Sequence, residues 1–262
     1  MAGQLSPIDK AKYAAARRAI DFVENGMRVG LGTGSTAAWM VRCLGTRVRE
    51  GGLKITAVAT STRTAELARQ VGIDVVELDE AGWLDLTIDG ADEFDPELAL
   101  IKGGGGALLQ EKIVATASDR MIVITDIAKE VSVLGRFPLP VEVIPFGWKA
   151  TRALIEETLA GLDVLGHEVT LRMDGDAPFR TDEGNLILDL ALMRIGNPRQ
   201  VSLVLNQIPG IVENGLFIDI CDMVVIGNGD GRVELREAGT GKITHDQVDF
   251  AEADNLFRDL DA

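Results

Sequence analysis

Apolar runs that alternate with helical stripes from Met27 to Thr125 predict an α/β fold. Two further observations shape it: three polar, glycine-bearing loops follow apolar runs, and the pattern changes at the proline-flanked stretch Arg136–Pro140. The expected architecture is a Rossmann-like domain, a parallel sheet with helices on both faces, joined to a smaller ferredoxin-like α+β domain.

The first helix is announced by Ser6-Pro7-Ile8-Asp9: an N-cap, a proline at the first helical position and an acid in the first turn. Ala14, Ala15, Ala19, Phe22 and Val23 continue it at helical spacing. Met27 to Leu31 then reads as a strand and Thr36 to Leu44 as a helix. Ile55 to Ala59 is a strand, Thr64 to Val71 a helix, and Val75 to Leu78 and Leu84 to Asp89 are strands. A helix begins near Ala107, and Met121 to Thr125 is again a strand. Beyond the prolines the order changes to strand 141–144, helix 149–159, strands 167–173 and 185–190, helix 198–208 and strand 211–218. That βαββαβ order is the split unit of a ferredoxin-like domain. Met223 to Ile226 reads as a strand that returns to the first sheet. Residues 1–137 with 219–232 are expected to form the α/β domain, 138–218 the smaller domain, and 233–262 an acidic extension. From Thr244 on, Phe250, Ala253, Phe257 and Leu260 fall on one stripe of an expected amphipathic helix.

With 262 residues, 46% hydrophobic and 26% charged, the chain has ample material for a core. A net charge of −15 repels polyanions, which argues against nucleic-acid or anionic-membrane partners. An anionic small substrate would need a local cluster of lysines and backbone N–H donors. The two cysteines, Cys43 and Cys221, have no CxxC neighbour and fit a reduced, cytoplasmic setting. The polar N-terminus has no signal-peptide h-region, and no apolar run reaches the length of a membrane span. His167 and His245 are the only histidines and stand far apart in sequence, so neither a histidine metal site nor a Ser-His-Asp triad is expected.

The most informative stretch is Lys102-Gly-Gly-Gly-Gly-Ala-Leu-Leu-Gln-Glu111-Lys112. Four consecutive glycines are costly to order. They suit a backbone that lies against a ligand or takes φ > 0, although a glycine run alone also fits a flexible surface loop. Lys102 can neutralise a developing oxyanion, and Glu111 can move a proton. A second loop, Gly30-Leu-Gly32-Thr33-Gly34-Ser35-Thr36-Ala37, joins the first strand to its helix. Its glycines admit an anion to the helix N-terminus, and Ser35 and Thr36 add hydroxyl donors. No Gly-Lys-Ser/Thr follows, so it is not a P-loop. Gly32-x-Gly34-x-x-Ala37 fits a loose dinucleotide fingerprint, but Ala59-Thr60-Ser61-Thr62-Arg63 lacks the acid that a ribose hydroxyl requires. A phosphate cradle is the favoured reading. The third loop, Asp89-Gly90-Ala91-Asp92-Glu93, puts two carboxylates at a strand end, where they can bond neighbouring sugar hydroxyls or serve as a turn. Glu93 reads as solvated or structural. Lys129 and Lys12 each fit a phosphate ligand or a solvated surface lysine. Ligands of open α/β sheets sit beyond the carboxyl ends of the strands, so the three loops are expected to converge.

With these loops identified, the chain closely resembles the type A ribose-5-phosphate isomerases. The resemblance rests on Gly32-Thr-Gly-Ser-Thr36, Asp89-Gly-Ala-Asp-Glu93, Lys102-Gly-Gly-Gly105, Glu111-Lys112 and Phe137-Pro-Leu-Pro-Val-Glu-Val-Ile-Pro145, with Ile208-Pro-Gly-Ile211 and Gly215-Leu-Phe217. It implies a metal-independent aldose–ketose isomerase of the non-oxidative pentose phosphate pathway, without cofactor, acting on D-ribose 5-phosphate and D-ribulose 5-phosphate. It also implies a homodimer or homotetramer. Glu111 would carry the proton between C2 and C1. Thr33, Gly34, Ser35, Thr36, Asp89, Gly90, Ala91, Asp92, Lys102, Gly103, Gly104, Gly105 and Lys129 would line the substrate site. Gly106 stands where many relatives place alanine, and the acidic tail is longer than in short members. Asp89 is the candidate for ring opening and hydroxyl proton traffic, and Asp92 holds a hydroxyl or orients Lys102. The rival reading is a non-catalytic sugar-phosphate sensor on the same fold, which predicts an attached DNA-binding segment. A coenzyme A transferase would need a nucleophilic glutamate in its own loop context, and none is evident.

Overall fold

The computed structural model describes residues 5–251, which fall into two compact units. The first comprises Met1–Gly90, Ile113–Ala128 and Cys221–Ala262. Its seven-stranded sheet runs in the order Ile243–Gln247, Arg232–Glu237, Met223–Gly227, Met121–Asp126, Leu86–Asp89, Arg28–Leu31, Thr56–Ala59. The five strands from Met223–Gly227 to Thr56–Ala59 are parallel. Their continuous apolar runs, such as Met121–Thr125, suit a sheet covered on both faces. Ser6 caps the helix Pro7–Ala19 by accepting a hydrogen bond from the Asp9 amide, as the sequence predicts. That helix packs on the strands Met121–Asp126 and Met223–Gly227.

Two elements of this unit differ from expectation. Val75 forms only a bridge to Ala57, and Leu78–Ala81 is a short helix rather than the end of a strand. The segment after Gly231 begins with two antiparallel strands that extend the main sheet, Arg232–Glu237 and Ile243–Gln247, so Thr244 does not start a helix. Val233 and Leu235 alternate into the core, and that period of two overrides the acidic composition. Phe250 packs against Tyr13, with ring centroids 6.0 Å apart. The remaining stripe residues, Ala253, Phe257 and Leu260, lie outside the described residues.

The second unit comprises Ala91–Lys112 and Lys129–Ile220. Its antiparallel sheet runs Ile211–Asn214, Leu139–Val143, Leu186–Ala191, Glu168–Leu171, with helices Trp148–Leu159 and Pro198–Leu205 completing the βαββαβ order. The expected single strand 211–218 is broken at Gly215, because its second half joins another sheet. Leu216–Phe217 pairs with Leu100–Ile101, which pairs with Glu93–Phe94. This three-stranded sheet draws residues 91–112 into the second unit, whereas the sequence reading assigned them to the first. Glu93 is buried and accepts hydrogen bonds from the Gly135 and Phe137 amides, so it is structural rather than solvated.

Candidate active site

In the second unit, Lys102 leaves the strand Leu100–Ile101, and its amide donates to the Gly215 carbonyl at 2.9 Å. Its ammonium lies 3.2 Å from Glu111 Oε2, with the two side chains only 2% and 5% exposed. Glu111 stands in the first turn of the helix Leu108–Thr116. The Phe217 ring lies 5.3 Å from the Lys102 ammonium, a cation–π contact on an apolar support. A cation and a carboxylate are therefore buried together at the start of a helix.

Between them runs the glycine loop, and its backbone explains its composition. Gly103 has φ +100° and Gly106 φ +84°, regions that side chains disfavour. A Cβ on Gly104 would lie 2.7 Å from Asp92 Oδ1, because the Gly104 amide donates to Asp92 Oδ2 at 2.7 Å. Asp92 thus holds the loop itself. A Cβ on Gly106 would meet the outer end of the Phe179 ring at 2.4 Å, so a side chain there requires that ring to shift. Gly104 and Gly105 are exposed. Ala91 is half-buried beside Asp92 in the sequence.

In the first unit, Asp89 ends the central strand Leu86–Asp89 and is fully buried. Its Oδ1 accepts from the Thr33 amide at 3.0 Å and the Gly90 amide at 2.7 Å. Gly32 is what permits this approach, since a Cβ there would lie 2.1 Å from Asp89 Oδ1. Gly34, at φ 117°, precedes the helix Ser35–Arg49 without a side-chain cap. The amides of that first turn stand at the helix N-terminus with exposed Ser35 and half-buried Thr36. Thr33 Oγ1 sits among Thr60 Oγ1 at 2.8 Å, Ser61 Oγ at 2.8 Å and Thr64 Oγ1 at 3.1 Å. In the segment Ala59–Arg63 the sequence alone shows only a missing acid. The overlooked signal is Ser61, which caps the helix Thr62–Gln70 and so faces the turn.

Lys129 closes the short 3-10 turn Ile127–Lys129, with its ammonium 6.0 Å from the Phe137 ring centroid. Lys112 is committed elsewhere: it donates to Glu213 Oε1 at 2.9 Å and to the Asn214 carbonyl at 2.6 Å. Burial pulls the Lys112 ammonium below its ordinary pKa despite the Glu213 charge. Burial also pushes Glu213 up, but the Lys112 charge and the Asn214 and Asn206 donors outweigh it and leave that carboxyl below its usual range. Both groups are in bonding contact, so the pair is best described as ionised. Among the described residues no group of three or more His, Cys, Asp and Glu side chains is arranged to hold a metal ion. None of the described helices is long and apolar enough to cross a membrane.

The family model for ribose 5-phosphate isomerase A (phosphoriboisomerase A) matches residues 56–231. The ribose-5-phosphate isomerase A of Ruegeria pomeroyi is 73% identical over 260 residues, which cover 99% of each chain. Among solved structures, a D-ribose-5-phosphate isomerase in complex with phospho-erythronic acid aligns with a TM-score of 0.80 and 37% identity over 93% of this chain and 100% of its own. Ribose 5-phosphate isomerase A from Neisseria gonorrhoeae aligns with a TM-score of 0.78 and 37% identity, covering 90% and 99%. With the glycine loop, the buried Lys102–Glu111 pair and near-complete coverage in agreement, the chain belongs to the ribose 5-phosphate isomerase A family.

Proposed function

We propose that the chain interconverts D-ribose 5-phosphate and D-ribulose 5-phosphate through an enediolate, with Glu111 as the proton-carrying base. Family membership favours catalysis over the sugar-phosphate-sensing alternative. The observation that carries the chemical reading is the Lys102–Glu111 pair, 3.2 Å apart and buried beside exposed glycine amides. Moving hydrogen between adjacent carbons of a hydroxy-carbonyl needs a base, a stabiliser for the enediolate and proton transfer between its oxygens. Glu111 takes the C2 proton of the open-chain aldose and returns it to C1, while O1 gains a proton and O2 loses one. A positioned base contributes typically ~10²–10⁴-fold. Lys102 and the amides of Gly103 and Gly105 meet the oxyanion, a role worth roughly 3–4 kcal/mol per fixed donor, while the Gly104 amide is taken by Asp92.

Thr33, Gly34, Ser35 and Thr36 take the phosphate, whose remote binding energy orients the reacting end. Asp89, held by two amides, opens the sugar ring and moves hydroxyl protons, and Gly90 and Ala91 continue that wall. Asp92 fixes the glycine loop rather than moving a proton, as its bond to the Gly104 amide suggests. Lys129 adds positive charge for the phosphate. The relative bound to phospho-erythronic acid supports this assignment, because that ligand joins a phosphate to a planar carboxylate resembling an enediolate.

The reaction takes place in the cytoplasm, a reading that the two buried thiols, Cys43 and Cys221, support. The working form is a homodimer or homotetramer, which the exposed Phe146, Leu165, Met193 and Leu203 of the second unit would help to build. The test is incubation with ribose 5-phosphate in the presence of a chelator. Ketose should form at an undiminished rate; activity lost to the chelator and restored by a divalent cation would refute the metal-free reading.

A further inference from the structure

The glycine loop is held from behind by a side chain that the chemistry above does not use. Arg172 is only 15% exposed and divides its guanidinium between two tasks. Its Nε and Nη2 donate to Asp189 Oδ2 at 2.9 Å and Oδ1 at 2.5 Å, a two-pronged contact that fixes the guanidinium plane. Its Nη1 donates to the carbonyls of Gly103 at 2.9 Å and Gly104 at 3.1 Å. No peptide bond among the described residues is cis. Each carbonyl turned toward Arg172 therefore turns the following N–H to the opposite edge. The first of these, on Gly104, is the amide that Asp92 accepts. The second, on exposed Gly105, has no hydrogen-bond partner among the described residues.

Consecutive glycines admit many peptide orientations, so the loop sequence alone selects none of them. Arg172 supplies the selection. A lysine ammonium is a compact point charge and cannot bridge two carbonyls while engaging a carboxylate in one plane. We propose that Arg172, braced by Asp189, is a positioning residue for the isomerisation that turns the Gly104–Gly105 peptide so that the Gly105 N–H serves as an oxyanion donor. The inference rests on the reading that Lys102 and the loop amides stabilise the enediolate.

The test uses the full chain with Arg172→Lys, Asp189→Asn and, as reference, Lys102→Ala. Each is measured for turnover of ribose 5-phosphate, inhibition by phospho-erythronic acid, inhibition by inorganic phosphate, and melting. Loss of one oxyanion donor lowers kcat by about 10²–10³-fold at most, so Arg172→Lys should lose about ten- to a hundredfold in kcat with KM nearly unchanged. Phospho-erythronic acid, whose carboxylate needs the donor, should inhibit this variant far less well, while inorganic phosphate inhibits as before. Asp189→Asn should move in the same direction by less, and it decides the matter by the same split if Arg172→Lys does not fold. Wild-type kcat in a folded Arg172→Lys enzyme, or equal weakening of both inhibitors, would overturn the inference. If Lys102→Ala left inhibition by phospho-erythronic acid unchanged, the oxyanion reading itself would fall. An effect at Lys102 with none at Arg172 would remove only the positioning role.

Discussion

Gly32→Ala should damage both stability and activity, because the backbone of the phosphate turn passes directly over Asp89. The added methyl would lie 2.1 Å from Asp89 Oδ1, 2.2 Å from its Cγ and 2.5 Å from its Cα. Ordinary contacts between carbon atoms lie near ~3.5–4.0 Å, so the clash is more than an ångström deep and reaches main chain. Rotating the carboxylate cannot relieve it. Overpacking of this kind costs about 1–3 kcal/mol. Displacing Asp89 also breaks its hydrogen bond from the Thr33 amide, a bond to a charged group worth roughly 1.5–3 kcal/mol. For a chain of this size each kcal/mol lowers Tm by about 2–4 °C, so the expected fall is on the order of 10 °C. Calorimetry gives the melting shift, and steady-state kinetics should show a fall in kcat/KM, since the displaced carboxylate is the assigned ring-opening group. A variant that melts with the wild type and turns over normally would refute the close approach and the role of Asp89.

Three other perturbations follow from the same contacts. Ser35→Ala with Thr36→Ala should raise KM more than it lowers kcat, at roughly 1.5–3 kcal/mol per lost donor to a charged group, and competitive inhibition by inorganic phosphate should weaken in parallel; unchanged values would put the phosphate elsewhere. Truncation after Gly231 removes two sheet strands and the buried Val233, Leu235 and Val248, at about 1.5–3 kcal/mol for each side chain. That sum rivals a typical total stability of about 5–15 kcal/mol, so the truncated chain should fail to give a cooperative melt. The third concerns Glu142, which is buried in the strand Leu139–Val143. Burial raises its carboxyl above the ordinary 4.5, against the opposing hydrogen bonds from Asn185 and Thr181. Above that ordinary value the unfolded chain releases the proton while the folded one retains it, so Glu142 makes stability fall as pH rises until the folded group also ionises. Glu142→Gln removes this loss. Its stability relative to wild type in urea titrations should improve as pH rises above about 4.5, and a pH-independent difference would contradict the assignment.

Periodicity and punctuation carried much of the fold. Ser6-Pro7 marked the start of the first helix, and the apolar run ending at Asp89 marked the central strand with its buried carboxylate. The long-range pairings were not legible. Nothing local shows that strand 211–218 breaks at Gly215 to reach Leu100–Ile101, or that an acidic segment contributes two sheet strands. The same limit applies around the site. Lys102, Glu111 and the glycine loops stood out because they make poor core material. The Thr60, Ser61 and Thr64 hydroxyls around Thr33, and Arg172 behind the glycine loop, are ordinary residues whose partners lie some 30 to 70 positions away.

The central claim is that Glu111 moves the proton, and solvent exchange with Glu111→Gln tests it most directly. Glutamine keeps the shape and a hydrogen bond beside Lys102 but cannot accept a proton. In D₂O the wild type should incorporate deuterium at the carbon that receives the migrating hydrogen. Glu111→Gln should still bind the sugar phosphate, lose most of its kcat with little change in KM, and incorporate no deuterium. Near-normal turnover with deuterium incorporation in Glu111→Gln would contradict the account.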